Sequence, residues 1–444
     1  MAPPKTVSPV IASLRASSTS VVRGCPGVPR SIPRIETVIE LRPFNGVPFM
    51  IRSVGIELRT TQRVIVPSTL GSNDTVREYK IYENPFVFRP AAGEFSERLL
   101  GIDIPVLIPL PKDIISSGQY PQWNAMTTHS LVVKVSCGDT YNNETNYNEA
   151  FPIPIKLYDT LPIYRQFNEP IAEVRNSDCK QVLVELSLPV SSIGPKDDII
   201  LFVKTMTDPL CNKISKNLRL RFITFQIKEI LECHEGGLPL MKEHKIYTET
   251  KSFLNDESIL NTQGVSHQFR LEFPFDNEYL QMYCNKNYID NNLSDNKHVV
   301  STYTNDKKNS KVVEGIPLTH TQGFTTLGRL FSIRYEAIIK VKLVHGRDME
   351  ITLPITISPF NRESSEYLLS WIINQCEVAR NKFGKDLVNR LVNARYDETD
   401  TVLHRFNPPP IVYKYTKSDW VRLGFNGEAF GSNQLGKNLV QYID

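Results

Sequence analysis

Short runs that alternate apolar and polar residues dominate the chain, and Gly, Pro, Asn and Asp cut them apart. Ser53-Val-Gly-Ile-Glu-Leu-Arg59 is the clearest case. Val54, Ile56 and Leu58 fall on one face, because side chains along a strand alternate with period two. Similar runs lie at Glu36–Leu41, Phe49–Arg59, Arg63–Val66, Arg77–Ile81, Asp103–Ile108 and Leu131–Val135. A second series follows at Gln181–Leu188, Asp198–Thr205, Leu218–Ile230, Lys242–Ser252, Val265–Phe275, Leu327–Leu343 and Met349–Ser358. Short strands at this spacing, with almost no helical period, predict antiparallel β-sandwiches.

The pattern also repeats. Leu131-Val-Val-Lys-Val135 and Phe151-Pro-Ile-Pro-Ile-Lys156 are matched by Ala337-Ile-Ile-Lys-Val341 and Ile351-Thr-Leu-Pro-Ile-Thr-Ile357. In each copy a strand with one lysine precedes a strand with Pro-Ile at its centre. Two copies of one β-module in tandem are therefore expected, with Lys134/Pro154 equivalent to Lys340/Pro354. The expected divisions are a flexible arm or edge segment at 1–34, sandwiches at 35–160 and 179–360, and a linker at 161–178. A helical segment at 361–395 and an extended tail at 396–444 complete the chain. The Asn/Asp/Lys-rich tract 285–312 has few large apolar groups and predicts a mobile loop in the second sandwich.

One helix stands out. Leu368, Ile372, Cys376, Ala379 and Phe383 recur every three or four residues within Ser364–Phe383 and share a face. Asn361 or Ser364 can cap it, and Arg380 and Lys382 sit near its end beside Gly384. Trp371 and Ile373 widen the apolar stripe, which favours docking on a sandwich over lying on a membrane.

Composition narrows the function. The 444 residues carry a formal net charge of +3, too small for a nucleic-acid-scale footprint, so no nucleic-acid partner is expected. No apolar run reaches membrane-spanning length, and residues 1–20 lack the apolar core of a signal peptide. Seven scattered cysteines without a Cys-x-x-Cys pair argue against disulfide or zinc frameworks and fit a reducing, cytoplasmic setting. The sequons at Asn73, Asn143 and Asn292 read as chance. The eight histidines show no metal-ligand spacing, and no nucleophile elbow or phosphate loop occurs. His345-Gly-Arg-Asp348 reads as a hairpin turn. No enzymatic activity, cofactor or metal is expected, although scattered acids could still converge in space.

Two tandem sandwiches joined by a short linker resemble the arrestin fold. Gly101-Ile-Asp-Ile-Pro-Val-Leu-Ile-Pro-Leu-Pro111 and Trp123-Asn-Ala-Met-Thr-Thr-His-Ser-Leu-Val-Val-Lys-Val135 look like the second half of an arrestin N-terminal domain. Ser332-Ile-Arg-Tyr-Glu-Ala-Ile-Ile-Lys-Val-Lys-Leu343 with Leu353-Pro-Ile-Thr-Ile357 looks like its C-terminal counterpart. The Asn/Lys/Asp-rich tract, the helix and the tail Ser418-Asp-Trp-Val-Arg-Leu-Gly-Phe-Asn-Gly-Glu-Ala-Phe-Gly431 are more similar to fungal α-arrestins. That resemblance implies a non-enzymatic adaptor for membrane-protein cytoplasmic tails, at the plasma membrane or endosomes. It also implies recruitment of a WW-domain ubiquitin ligase through Pro-Pro-x-Tyr.

The ligase motif departs from that pattern. Pro409-Pro410 precedes Tyr413 by one residue too many, and Leu161-Pro162-Ile-Tyr164 is a variant form. A WW groove reads Pro and Tyr at fixed offsets on a polyproline helix, so weak or absent binding is expected. A basic run, Lys213, Lys216, Arg219 and Arg221, is the candidate contact for an anionic partner; Arg219 and Arg221 share a strand face. Scaffolding without ligase recruitment and an enzyme with an unrecognised site stay open as alternatives.

Overall fold

A computed structural model describes residues 9–15, 21–44, 46–68, 71–140, 143–163, 168–194, 197–211, 218–234, 240–254, 258–272, 299–301, 312–314, 323–414 and 416–423. In chain order the principal strands of the first half are β1 (Val10–Leu14), β2 (Arg34–Pro43), β3 (Phe49–Ser68), β4 (Gly71–Phe88), β5 (Gly101–Pro109), β6 (Ala125–Cys137) and β7 (Thr145–Pro152). Those of the second half are β8 (Ile171–Asn176), β9 (Val182–Leu188), β10 (Asp198–Thr207), β11 (Arg219–Cys233), β12 (Leu240–Ser252), β13 (Val265–Glu272), β14 (Phe331–Val344) and β15 (Met349–Ile357). Helices α1 (Arg362–Phe383), α2 (Lys385–Leu391) and α3 (Tyr396–His404) follow, then β16 (Ile411–Tyr413) and α4 (Lys417–Arg422).

The protein is all-β with helices near its C-terminus. Sheets β1-β2-β5-β16 and β7-β6-β3-β4 form the first sandwich, and β8-β9-β10-β13 and β15-β14-β11-β12 form the second. Alternation explains the cores. Val54, Ile56 and Leu58 of β3 meet Ile39 and Leu41 of β2 and Ile102, Ile104 and Ile108 of β5 in the first core. Val184 and Leu186 of β9 meet Ile223, Phe225 and Ile227 of β11 in the second. The turn between β14 and β15 forms as the sequence implies, with His345 at a left-handed φ of 64° beside Gly346.

The repeat is present, in a shifted register. β6 and β14 hold equivalent central places, each between its proline strand and a long partner, β3 or β11. Pro152 lies opposite Ser130, four residues before Lys134, and Pro354 opposite Glu336, four before Lys340. Pro152, not Pro154, is therefore the register counterpart of Pro354. Neither proline interrupts a ladder. Among the described residues β7 is an edge strand, and the outer side of β15 is paired at Thr356–Ile357 alone, by Ser192–Ile193.

The segment expected as an arm contributes edge strand β1, paired along its length with β2. Within the tract expected as a mobile loop, Val299–Ser301 pairs with Val312–Glu314, and the rest lies outside the described residues. The tail is extended only in part. α3 and α4 are helical, and β16 adds to the first sandwich by pairing with Gly101–Asp103 of β5.

Helix α1 begins two residues before Ser364. Asp197, from the second sandwich, accepts the Arg362 amide at 3.0 and 3.1 Å and so caps the helix from a distance. The expected face is buried: Leu368, Ile372, Ala379 and Phe383 are inaccessible or nearly so, and Cys376 is half-buried. Leu368 and Ile372 pack with Cys25, Tyr158, Leu161 and Phe360, so the helix bridges the first sandwich, the linker and the end of the second. Ile373, counted with the apolar stripe, points outward and is 59% exposed.

Candidate docking surface

An adaptor needs a rigid frame and an exposed place to bind. The frame begins at the junction of the two sandwiches. Tyr120 and Trp123 leave the first sandwich and enter the second core. Tyr120 sits 5.4 Å from the Phe324 ring and 5.7 Å from Phe331. Trp123 donates its indole N–H to Glu229 Oε1, and Tyr335 donates its hydroxyl to Glu229 Oε2 at 2.6 Å. Burial raises the Glu229 carboxyl above its usual range, and the two donated hydrogen bonds work against that shift. Gln62 Oε1 accepts the amides of Arg329 and Leu330, both at 3.0 Å. Gly118 is required here: a Cβ would stand 2.5 Å from the Phe324 ring.

A second cluster joins β1, β2, β5 and β16. Asp103 of β5 is buried and accepts from Arg15 at 2.8 Å, Arg42 at 2.6 Å and the Tyr413 hydroxyl at 2.9 Å. Arg15 follows β1 and Tyr413 ends β16, so one carboxylate joins strands from opposite ends of the sequence. Arg42 and Arg422 also lie over the Tyr413 ring, at 5.4 and 5.3 Å.

Exposed binding capacity lies at the sheet edges. β12 is thirteen residues long and has β11 as its one strand neighbour among the described residues. Its outer side therefore offers backbone donors and acceptors to an added strand. Lys242, Glu243, Lys245, Glu249 and Lys251 alternate along it, the mixed charge that keeps an edge from self-pairing. At one end, Arg219 and Arg221 of β11 are exposed. The Phe253 amide bonds the Arg221 carbonyl at 3.0 Å, and Lys251 is paired to Ile223, so three cations gather where β12 ends.

The candidate residues from the sequence do not form one site. Arg219 and Arg221 lie on β11, one strand in from this edge; Lys213, Lys216 and Tyr164 lie outside the described residues. Leu161 and Pro162 are buried at the junction, where Leu161 packs under α1. Tyr413, the tail tyrosine of the candidate ligase motif, is not accessible. Its ring is 3% exposed and its hydroxyl is committed to Asp103, while Pro409 and Pro410 lead straight into β16. The Asp103 and Glu229 clusters escaped notice in the sequence. Asp103 has a signal, as the single acid in the apolar run Gly101–Pro109, whereas Glu229 shares its strand with Glu232 and three cations and has none.

Fold and surface together describe a rigid double sandwich strapped by helices and open along its edges. No protein-family model matches the sequence. The chain is 22% identical over 459 residues to RHO1 GEF localizing protein 1 of Saccharomyces cerevisiae, and the alignment covers 92% of each chain. Among the described residues no helix is long and apolar enough to cross a membrane.

Proposed function

We propose that this protein is a non-catalytic, cytoplasmic adaptor of arrestin-like architecture that positions a Rho-type guanine nucleotide exchange factor. The observation that carries this reading is the similarity to a RHO1 GEF localizing protein over 92% of the chain. The free edge of β12 is the proposed docking place. An extended partner segment would continue the sheet, and acidic residues within it would meet Arg219, Arg221 and Lys251. A ligase-adaptor role through the tyrosine motifs has no support from this geometry, because Pro162 and Tyr413 are both buried.

Hydrogen exchange on the complex tests the assignment. The account expects new protection along Leu240–Ser252 when the exchange factor is added, and loss of binding in Arg219→Glu/Arg221→Glu. Protection confined to other edges, with binding intact in that variant, would move the site away from β12. Equal binding of a membrane-protein cytoplasmic tail at the same edge would favour cargo recognition instead.

A further inference from the structure

The outer edge of β12 is not uniform along its length. β11 and β12 pair with Ile227 opposite Tyr247 and Lys228 opposite Lys245, which leaves Ile246 as an extra residue. It forms a β-bulge, a device that bends an edge strand and interrupts further pairing. The consequence for the outer side follows from the ladder. The Phe253 amide bonds the Arg221 carbonyl, so Phe253 turns its backbone towards β11. Residues of an antiparallel strand alternate in the side they bond. Thr248, Thr250 and Ser252 therefore turn their N–H and C=O groups outward. Beyond the bulge the alternation resumes one residue out of step, and Met241, Glu243 and Lys245 turn outward instead. The outward residues are two apart within each half and three apart across the bulge. An added strand has a period of two, so it stays in register with one half only.

The halves differ in which charges are committed. Along Leu240–Lys245, Lys228 pairs with Glu243 at 2.6 Å, Arg334 pairs with Glu336 at 3.4 Å, and Lys242 has a partner as well. Lys245 is the one cation there without a carboxylate among the described residues. Along Tyr247–Ser252, Arg219, Arg221 and Lys251 are all exposed and have no such carboxylate among the described residues. Two acids stand near them. Asp348 lies near Arg221 but is paired with Lys342, and Glu249 accepts the Tyr247 hydroxyl at 2.7 Å. Lys251 shares a side-chain row with Glu249 and Tyr247, so a residue added directly opposite it would meet its ammonium.

We infer that docking on β12 is confined to Tyr247–Ser252 and takes a short extended segment with an acidic residue opposite Lys251. The bulge sets the limit on length, since the matched half is six residues long. The uncommitted cations choose the half and set the position of the acid. This deepens the docking role proposed above and rests on it.

Hydrogen exchange and affinity, measured on the full chain with a purified Rho-type exchange factor, test it. New protection is expected at the Thr248, Thr250 and Ser252 amides, and none at Met241–Lys245. Thr248→Pro removes an outward donor without removing a bond to β11, and should weaken binding at least about tenfold. Glu243→Pro does the same on the other half and should bind as the wild type does. Lys251→Glu should also weaken binding at least about tenfold, and Lys251→Arg should retain it. Lys251 is exposed, so its variants test the inference even if a proline variant fails in thermal unfolding. The inference is overturned if protection falls on Leu240–Lys245, if Glu243→Pro is the folded variant that fails, or if Lys251→Glu binds as tightly as the wild type. Docking on β12 would survive each of those results. Absence of binding by the wild-type chain, or protection confined to other edges, would overturn the docking reading itself and this inference with it.

Discussion

Single buried polar residues set the geometry of this molecule. Glu229 holds Trp123 of one sandwich and Tyr335 of the other, and removing it leaves two donors buried without an acceptor. Glu229→Ala is expected to cost about 2–4 kcal/mol in denaturant unfolding. A loss below about 0.5 kcal/mol, the range of neutral surface changes, would show that the junction does not depend on it. His129 makes a pH prediction. Burial lowers its pKa to about 3, Ser117 Oγ lies 3.0 Å from Nδ1, and Nε2 has no hydrogen-bond partner among the described residues. Below a pH of about 6.5 the unfolded imidazole takes up a proton that the folded one refuses, so stability falls with pH until about 3. Glu229, Asp159 and Asp197, whose carboxyls burial raises, act in the opposite sense, so the variant difference is the useful quantity. Between pH 7 and 5 the wild type should lose about 2 kcal/mol more than His129→Gln. Equal losses would place His129 in contact with solvent.

At the level of elements, the strap and the tail strand carry the testable content. Leu368 and Ile372 bury the α1 face against the linker and the first sandwich, so Leu368→Ala or Ile372→Ala should cost about 2–4 kcal/mol through the cavity left behind. Unchanged stability would mean that α1 lies off the sandwich in solution. β16 was harder to foresee. Its sequence, Ile-Val-Tyr after three prolines, fits a polyproline tail as well as a strand. What decides it is Asp103, 310 residues away, which local periodicity does not report. The helix and the strand alternation were readable because their signal is local: Leu368, Ile372, Ala379 and Phe383 declare a face by spacing alone. The register of the prolines was not, since pairing Pro152 with Ser130 and Pro354 with Glu336 depends on the neighbouring strand. The proposed docking edge was half legible. Arg219 and Arg221 showed as a basic pair, but nothing in the chain shows that the strand beside them ends the sheet.

Over the whole molecule, two sandwiches, a buried junction and a helical strap produce one frame with open edges. Among the described residues the frame leaves the outer side of β12 unpaired, and the proposed adaptor role uses that edge. Rigidity matters here because a partner held on β12 is positioned relative to everything else only if the junction does not yield. The most direct measurement is a calorimetric titration of the full chain against a purified Rho-type exchange factor from the same organism. The account predicts saturable one-to-one binding that is abolished by Arg219→Glu/Arg221→Glu. Absence of heat and of complex formation with the wild-type chain, under conditions where both proteins are folded, would contradict it.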